Sequence, residues 1–231
     1  MPKQDLLLLH GALGSSSQVV PLSIFLEDQF NLGLLNFTGH GNQSLFVHDF
    51  SFDLFVEDIL NWMKKKSLQK VSVFGYSMGG YAALLFAYRY PEKIDRIFTL
   101  GTKLLWTQEE ADGEARLLDP AKIEEKVPQF AERLKQAHGL TNWANLVHKT
   151  KSFIQSMGAT APLNQEAFEN IQCRVLLGVG DKDTMAKVDD TVKVYGWIKN
   201  GELLVIPNTP HPFERVNMEA LSNQIIRFMK S

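Results

Sequence analysis

V-S-V-F-G-Y-S-M-G-G-Y-A-A-L-L-F-A-Y-R-Y, residues 71–90, changes its period halfway along. Val71, Val73 and Phe74 belong to a short apolar run rich in β-branched and aromatic residues, which predicts a buried strand. After Gly75 the pattern turns helical. Ala82, Leu85, Phe86 and Arg89 fall at i, i+3, i+4 and i+7, an apolar face leading to a polar end. Between the two periods lies Gly75-Tyr76-Ser77-Met78-Gly79, a G-x-S-x-G pentapeptide. A serine on so tight a strand-to-helix turn is expected in a strained backbone conformation, at about 1–3 kcal/mol. Residues without a Cβ are needed around it because strand and helix nearly touch. The hydroxyl then stands at the strand's carboxyl end, beside the first free N–H groups of the helix.

The rest of the chain alternates in the same way. Leu6 to Leu9 form a strand-like run that ends in His10-Gly11-Ala12-Leu13-Gly14. Val20 to Phe30 reads as a helix with Leu22, Phe25 and Leu26 inward, and 31–37 as a strand. Ser51 caps the clearest helix, 51–66, whose stripe of Phe52, Phe55, Val56, Ile59, Leu60 and Met63 is expected to be core. Lys64 to Lys66 suit the negative end of its dipole. Ile94 to Leu100 is a further strand, closed by Gly101.

From Thr102 to about Asn170 strands disappear and charged helical segments take over. Asp119-Pro120 opens one helix, disturbed at Pro128 and ending near His138 and Gly139; others span 141–157 and 164–170, interrupted by Gly158 and Pro162. The strand pattern returns at Cys173 to Gly180, followed by Asp181-Lys182-Asp183. A helix over 191–199, a strand over 203–206, the loop Pro210-His211-Pro212-Phe213-Glu214 and a last helix complete the chain. Strand and helix alternating in such units imply a parallel sheet with helices on both faces.

With G-x-S-x-G in that context, the early His-Gly pair and the late P-H-P-F-E loop, the chain resembles the α/β-hydrolase superfamily, in its serine-nucleophile branch with a helical cap. The resemblance implies a core over 1–101 and 171–231, with 102–170 as the cap. It also implies a Ser-acid-His order: Ser77, then Asp183 or Asp181, then His211. Asp183 is favoured because the family's acid falls third after the strand's glycine. By the same carry-over, the backbone N–H groups of Ala12 and Met78 would form the oxyanion hole, while His10 would be structural. The 38–44 segment T-G-H-G-N-Q-S echoes a family loop through Gly39, His40, Gly41 and Ser44, but Asn36 and Thr38 depart from it. His40 is expected to be a loop residue, His48 to lie far from the nucleophile, and His138 and His148 to belong to the insertion.

Tyr76, Leu104, Leu105, Trp106, Trp143, Phe153, Ile154 and Met157 are candidates for an apolar substrate pocket, and Lys103 is the one charge near its rim, expected to be solvated, with a substrate carboxylate as its alternative partner. The implied activity is ester hydrolysis of a small, largely apolar molecule. The same triad also serves carbon–carbon or thioester hydrolysis, lyase chemistry and acyl transfer, and a non-catalytic binding protein is a further alternative.

Other classes have no support in the residues. A net charge of -2 with no basic block beyond Lys64–Lys66 offers nothing to nucleic acid. There is no H-E-x-x-H, no Cys/His ligand cluster and no P-loop, so neither a metal nor a nucleotide cofactor is expected. The single Cys173 allows no intrachain disulfide and reads as a small buried apolar residue. Without an apolar leader or a run of 18 apolar residues, the expectation is a cytoplasmic monomer or homodimer that stays off membranes.

Overall fold

A computed structural model describes residues 3–41 and 49–231. The chain runs through β1 (Gln4–Leu9), α1 (Val20–Leu26), β2 (Phe30–Leu35), α2 (Phe52–Lys65), β3 (Val71–Tyr76), α3 (Met78–Arg89) and β4 (Ile94–Leu100). Five helices follow: α4 (Gln108–Ala115), α5 (Pro120–Lys126), α6 (Pro128–His138), α7 (Trp143–Thr160) and α8 (Gln165–Glu169). Then come β5 (Arg174–Gly180), α9 (Val188–Tyr195), β6 (Gly201–Ile206) and α10 (Met218–Lys230). Among the described residues the six strands form one sheet in the order β2-β1-β3-β4-β5-β6, every neighbouring pair parallel. The order reverses between β1 and β3. In open α/β sheets the crevice outside such a reversal, at the strands' carboxyl ends, is where ligands bind.

Both faces of the sheet are covered, which is why its strands read as continuous apolar runs. Leu7 and Leu9 of β1 pack with α2, α3, α9 and the helices between β4 and β5. Leu6 and Leu8 face α1 and α10 on the other side. All four leucines are fully buried, each contributing on the order of 1.5–3 kcal/mol relative to exposure. The central helix α3 departs from the one-faced pattern: every residue from Met78 to Ala87 is buried. It is enclosed by the sheet on one side and by α2 and α8 on others.

Caps set several boundaries. The Ser51 hydroxyl accepts from the Leu54 N–H, the Asp119 carboxylate from Lys122, and the Asn164 side chain from Ala167. Pro128 divides the helix expected after Pro120 into α5 and α6. Several expectations fail: Phe30 opens β2 and does not end α1, and the helix expected over 191–199 is Val188–Tyr195. Phe25 is 45% exposed, because α1 ends at Leu26 and turns only Leu22 and Leu26 inward. Gly158 does not interrupt α7 but lies inside it. A Cβ there would come within 2.7 Å of the Gln108 backbone, so the glycine lets α4 and α7 pack closely. No described helix is long and apolar enough to cross a membrane. His48 and Ser44 lie outside the described residues.

Candidate active site

The turn after β3 has the geometry its sequence demands. Ser77 sits at φ 51°, ψ −117°, a conformation that costs a residue with a side chain on the order of 1–3 kcal/mol. Its N–H donates to Leu100 O at 2.8 Å, and the Thr102 hydroxyl donates to Ser77 O at 3.0 Å. The strain is therefore held from β4 and the residues after it. Close approach explains the glycines: a Cβ on Gly75 would meet Gly80 Cα at 2.5 Å, and one on Gly79 would meet His10 O at 2.7 Å.

Three distant side chains meet at this turn. Ser77 Oγ lies 3.4 Å from His211 Nε2, and His211 Nδ1 lies 2.8 Å from Asp183 Oδ2. The Asp183 side chain is 2% exposed, and its other oxygen accepts the N–H groups of Met185 at 2.9 Å and Ala186 at 2.8 Å. A carboxylate held this way has one direction left, toward the imidazole. Asp181 does different work: its Oδ1 accepts the Thr209 N–H, tying the loop after β5 to the loop that carries His211. Gly101 makes room for the pair. It stands at φ +61°, and a Cβ there would lie 3.1 Å from Asp183 Oδ2 and 3.5 Å from His211 Nδ1. Nothing in the reading of the strand end singled it out beyond its closing position.

Ser77 and His211 open into a narrow, mostly apolar pocket. Ala12 and Met78 line it at the turn; Phe52, Tyr81, Trp106, Phe153, Ile154 and Met157 form the apolar wall, and Met185 stands at the mouth. Of the expected lining residues, Trp106, Phe153, Ile154 and Met157 are in place. The others are not. Tyr76 points to the opposite side of the sheet, where its ring packs 4.8 Å from Phe213 and its hydroxyl donates to His211 O at 2.8 Å. It supports the histidine loop from below. Leu104, Leu105 and Trp143 pack into the core that joins the helices to the sheet. Phe52, expected to be core alone, also faces the pocket, stacked 4.2 Å from Tyr81. Tyr81 was missed: a helical period marks the residue as buried but not that its hydroxyl accepts the Leu163 N–H at 3.0 Å.

Lys103 also departs from expectation. Its side chain is 11% exposed, and Nζ lies 2.8 Å from Glu114, 3.6 Å from Glu110 and 4.8 Å from the Trp106 ring centre. It is part of the pocket wall, not a solvated rim charge. Glu110 is shared with Lys187, and that hydrogen bond, with Lys103 beside it, holds its carboxyl below the usual range. The readable signal was Thr107-x-x-Glu110, which forms a reciprocal capping box at the start of α4.

Three further histidines are buried in structure, whereas His148 is exposed on α7. His10, His40 and His138 form a chain of rings with centroids 5.0 and 6.1 Å apart. Burial pushes all three down: His10 to about 4, His40 well below its ordinary value, His138 in the same direction. Burial likewise pushes the Cys173 thiol up to about 12, which leaves no thiolate for chemistry. Among the described residues no group of three or more His, Cys, Asp or Glu side chains is placed to hold a metal.

A family model described as the alpha/beta hydrolase fold matches residues 6–213. The chain belongs to that family. Its similarity to serine hydrolase BPHL from Homo sapiens is 26% identity over 217 residues, 89% of this chain and 72% of the relative. Among solved structures, NosK from Streptomyces actuosus superposes with a TM-score of 0.86 at 15% identity, covering 99% of this chain and 98% of that one. The enol-lactonase from Burkholderia xenovorans LB400 gives 0.80 at 15% identity, covering 100% and 93%. At such identities the structural likeness establishes the fold. The family assignment makes this α/β hydrolase a hydrolytic enzyme; the bond it cleaves is a matter for its own side chains.

Proposed function

We propose that this hydrolase cleaves carboxylic esters of small, largely apolar substrates through an acyl-enzyme on Ser77. The observation that carries the reading is the unbroken line Ser77 Oγ, His211, Asp183, with the hydroxyl facing an apolar pocket. As Ser77 Oγ bonds to the carbonyl carbon, its proton passes to His211 Nε2. Asp183 keeps the imidazole oriented through Nδ1–H and stabilises the imidazolium without taking its proton. Charge collects on the former carbonyl oxygen.

Two N–H groups are suited to meet it. That of Met78 is the first of α3 and has no acceptor four residues back. That of Ala12 has no partner among the described residues, and both residues line the pocket beside Ser77. The carbon–oxygen bond then breaks, and the leaving alkoxide takes the proton from His211. Water attacks the acyl-enzyme by the reverse proton path, releasing the acid and restoring Ser77. Segment 102–170 acts in this reading as the cap: Trp106, Phe153, Ile154 and Met157 close over the acyl group, and the Glu110–Lys187 pair fastens the cap to the core. An apolar lining suits a short or medium acyl chain or one aromatic ring.

The test is a panel of p-nitrophenyl esters, matched thioesters and vinylogous 1,5-diketones, assayed with Ser77→Ala as control. Ester turnover that falls about 10⁶-fold in Ser77→Ala supports the reading. Turnover unchanged within tenfold removes Ser77 from the mechanism, and faster cleavage of the diketones replaces esters as the substrate class.

A further inference from the structure

The carbonyls on either side of Ala12 each meet a histidine ring, and the rings come from different parts of the chain. His10, just after β1, places Nδ1 2.8 Å from Gly11 O, while the Phe37 N–H donates to its Nε2 at 3.2 Å. His138, the last residue of α6, places Nε2 2.9 Å from Leu13 O, while the Gly41 N–H donates to its Nδ1 at 3.0 Å. A backbone N–H can be accepted only by a ring nitrogen that carries a lone pair. The two backbone donors therefore fix both rings as neutral, with the one ring proton on the nitrogen facing the loop.

The consequence runs through peptide planarity. Gly11 O and the Ala12 N–H are opposite edges of one rigid plane, so holding the carbonyl aims the N–H. His138 holds the Leu13–Gly14 peptide in the same way, on the far side of Ala12. That hold has something to resist: Leu13 sits at φ +57°, a left-handed conformation that a residue with a side chain adopts only under strain. His138 is 1% exposed and belongs to the inserted helices, whereas Leu13 and Gly41 belong to core loops. One side chain thus joins the insertion to the loop beside the nucleophile.

We infer that His138 is a positioning residue for the reaction: by donating to the Leu13 carbonyl it sets the loop so that the Ala12 N–H meets the oxyanion. The inference rests on the Ser77 ester-hydrolase reading. It makes the seating of α6 a condition for full turnover, because lifting this helix withdraws the ring from Leu13.

The experiment compares His138→Ala, which removes both hydrogen bonds, with His138→Gln, whose amide can still donate to Leu13 O. His138→Ala is expected to lower kcat by about 10–10²-fold with KM within about threefold, since a misplaced loop costs transition-state contacts and not ground-state binding. Affinity for an alkyl boronic acid, which forms a tetrahedral adduct on Ser77, should fall by a similar factor, and His138→Gln should recover most of both. A folded His138→Ala with kcat within twofold of the parent overturns the inference. So does a loss confined to KM, or a glutamine variant no better than alanine. Imidazole nitrogen NMR on the parent protein decides independently of whether the variants fold. The Nε2–H tautomer of His138, shifting as the boronate adduct forms, supports the inference; the Nδ1–H tautomer, or no shift on adduct formation, overturns it. An active parent that depends on Ser77 but is indifferent to His138 sinks this inference alone, whereas turnover that survives Ser77→Ala removes the underlying reading as well.

Discussion

His211 and His138 are histidines with both ring nitrogens engaged, near the same nucleophile, and their partners give them opposite chemistry. His211 has a carboxylate at Nδ1 and a hydroxyl at Nε2, so a proton can arrive and a negative charge is waiting for it. His138 has a backbone donor at Nδ1 and a carbonyl at Nε2, in a place where burial lowers its affinity for protons. In the proposed mechanism the first ring changes its charge; the second keeps it. Residue type decides neither outcome. The atoms opposite each nitrogen do.

The largest expected effect comes from removing the ring beside Ser77. His211→Ala should lower kcat by roughly 10⁴–10⁶, and a loss below tenfold would erase the contrast with His138. Asp183→Asn should cost about 10⁴ through the wrong tautomer, measured on the same ester. Asp181→Asn, at a side chain that accepts the Thr209 N–H, should stay within tenfold; equal losses at the two positions would mean that the wrong carboxylate has been assigned.

The buried rings make their own prediction in stability. Their protonation constants are lowered on folding, so between the folded values and about 6.5 the unfolded chain binds more protons. Stability is then full above about pH 6.5 and declines as pH falls, by up to about 1.4 kcal/mol per histidine per pH unit, until the folded rings protonate. For His10 that lower limit is about 4. Thermal melts should show Tm dropping from pH 6.5 to 5, above the range where ordinary carboxylates titrate. A flat Tm over that interval would contradict the neutral state of the three rings.

Two smaller effects sharpen the picture around the pocket. Gly101→Ala should destabilise by about 1 kcal/mol or more, because it forces a side chain into a left-handed position beside Asp183. Urea titration measures it, and unchanged stability would mean the loop has room to spare. Trp106→Phe is the mildest. Its buried indole N–H has no partner among the described residues, so its loss should leave stability within about 1 kcal/mol or raise it. A larger loss would show that the N–H is satisfied.

How much of this was readable follows from how local each signal is. The turn at Ser77 was legible because strand, glycine spacing and helix all lie within 20 residues and demand one geometry. His211 and Asp183 were legible through the order that the family resemblance supplied and their places after strand ends; the choice over Asp181 came to rest on which carboxylate faces Nδ1. The inserted helices were legible as helices, through Asp119-Pro120 and Pro128, but not in their facing. Trp143 and Leu105 are as apolar as Trp106, and only tertiary packing decides which of them meets the pocket. Lys103 misled for the same reason: a lone lysine reads as solvated, and its two carboxylate partners lie 7 and 11 residues on, brought back by α4. His138 carried no signal of its role, because both its partners are backbone atoms far away in the chain.

The most direct measurement is stoichiometric labelling with a fluorophosphonate, mapped by peptide mass. The account predicts one label per chain, on Ser77, lost in Ser77→Ala and formed much more slowly in His211→Ala. A label on another residue, or none on Ser77 from a protein that still turns over esters, would contradict it.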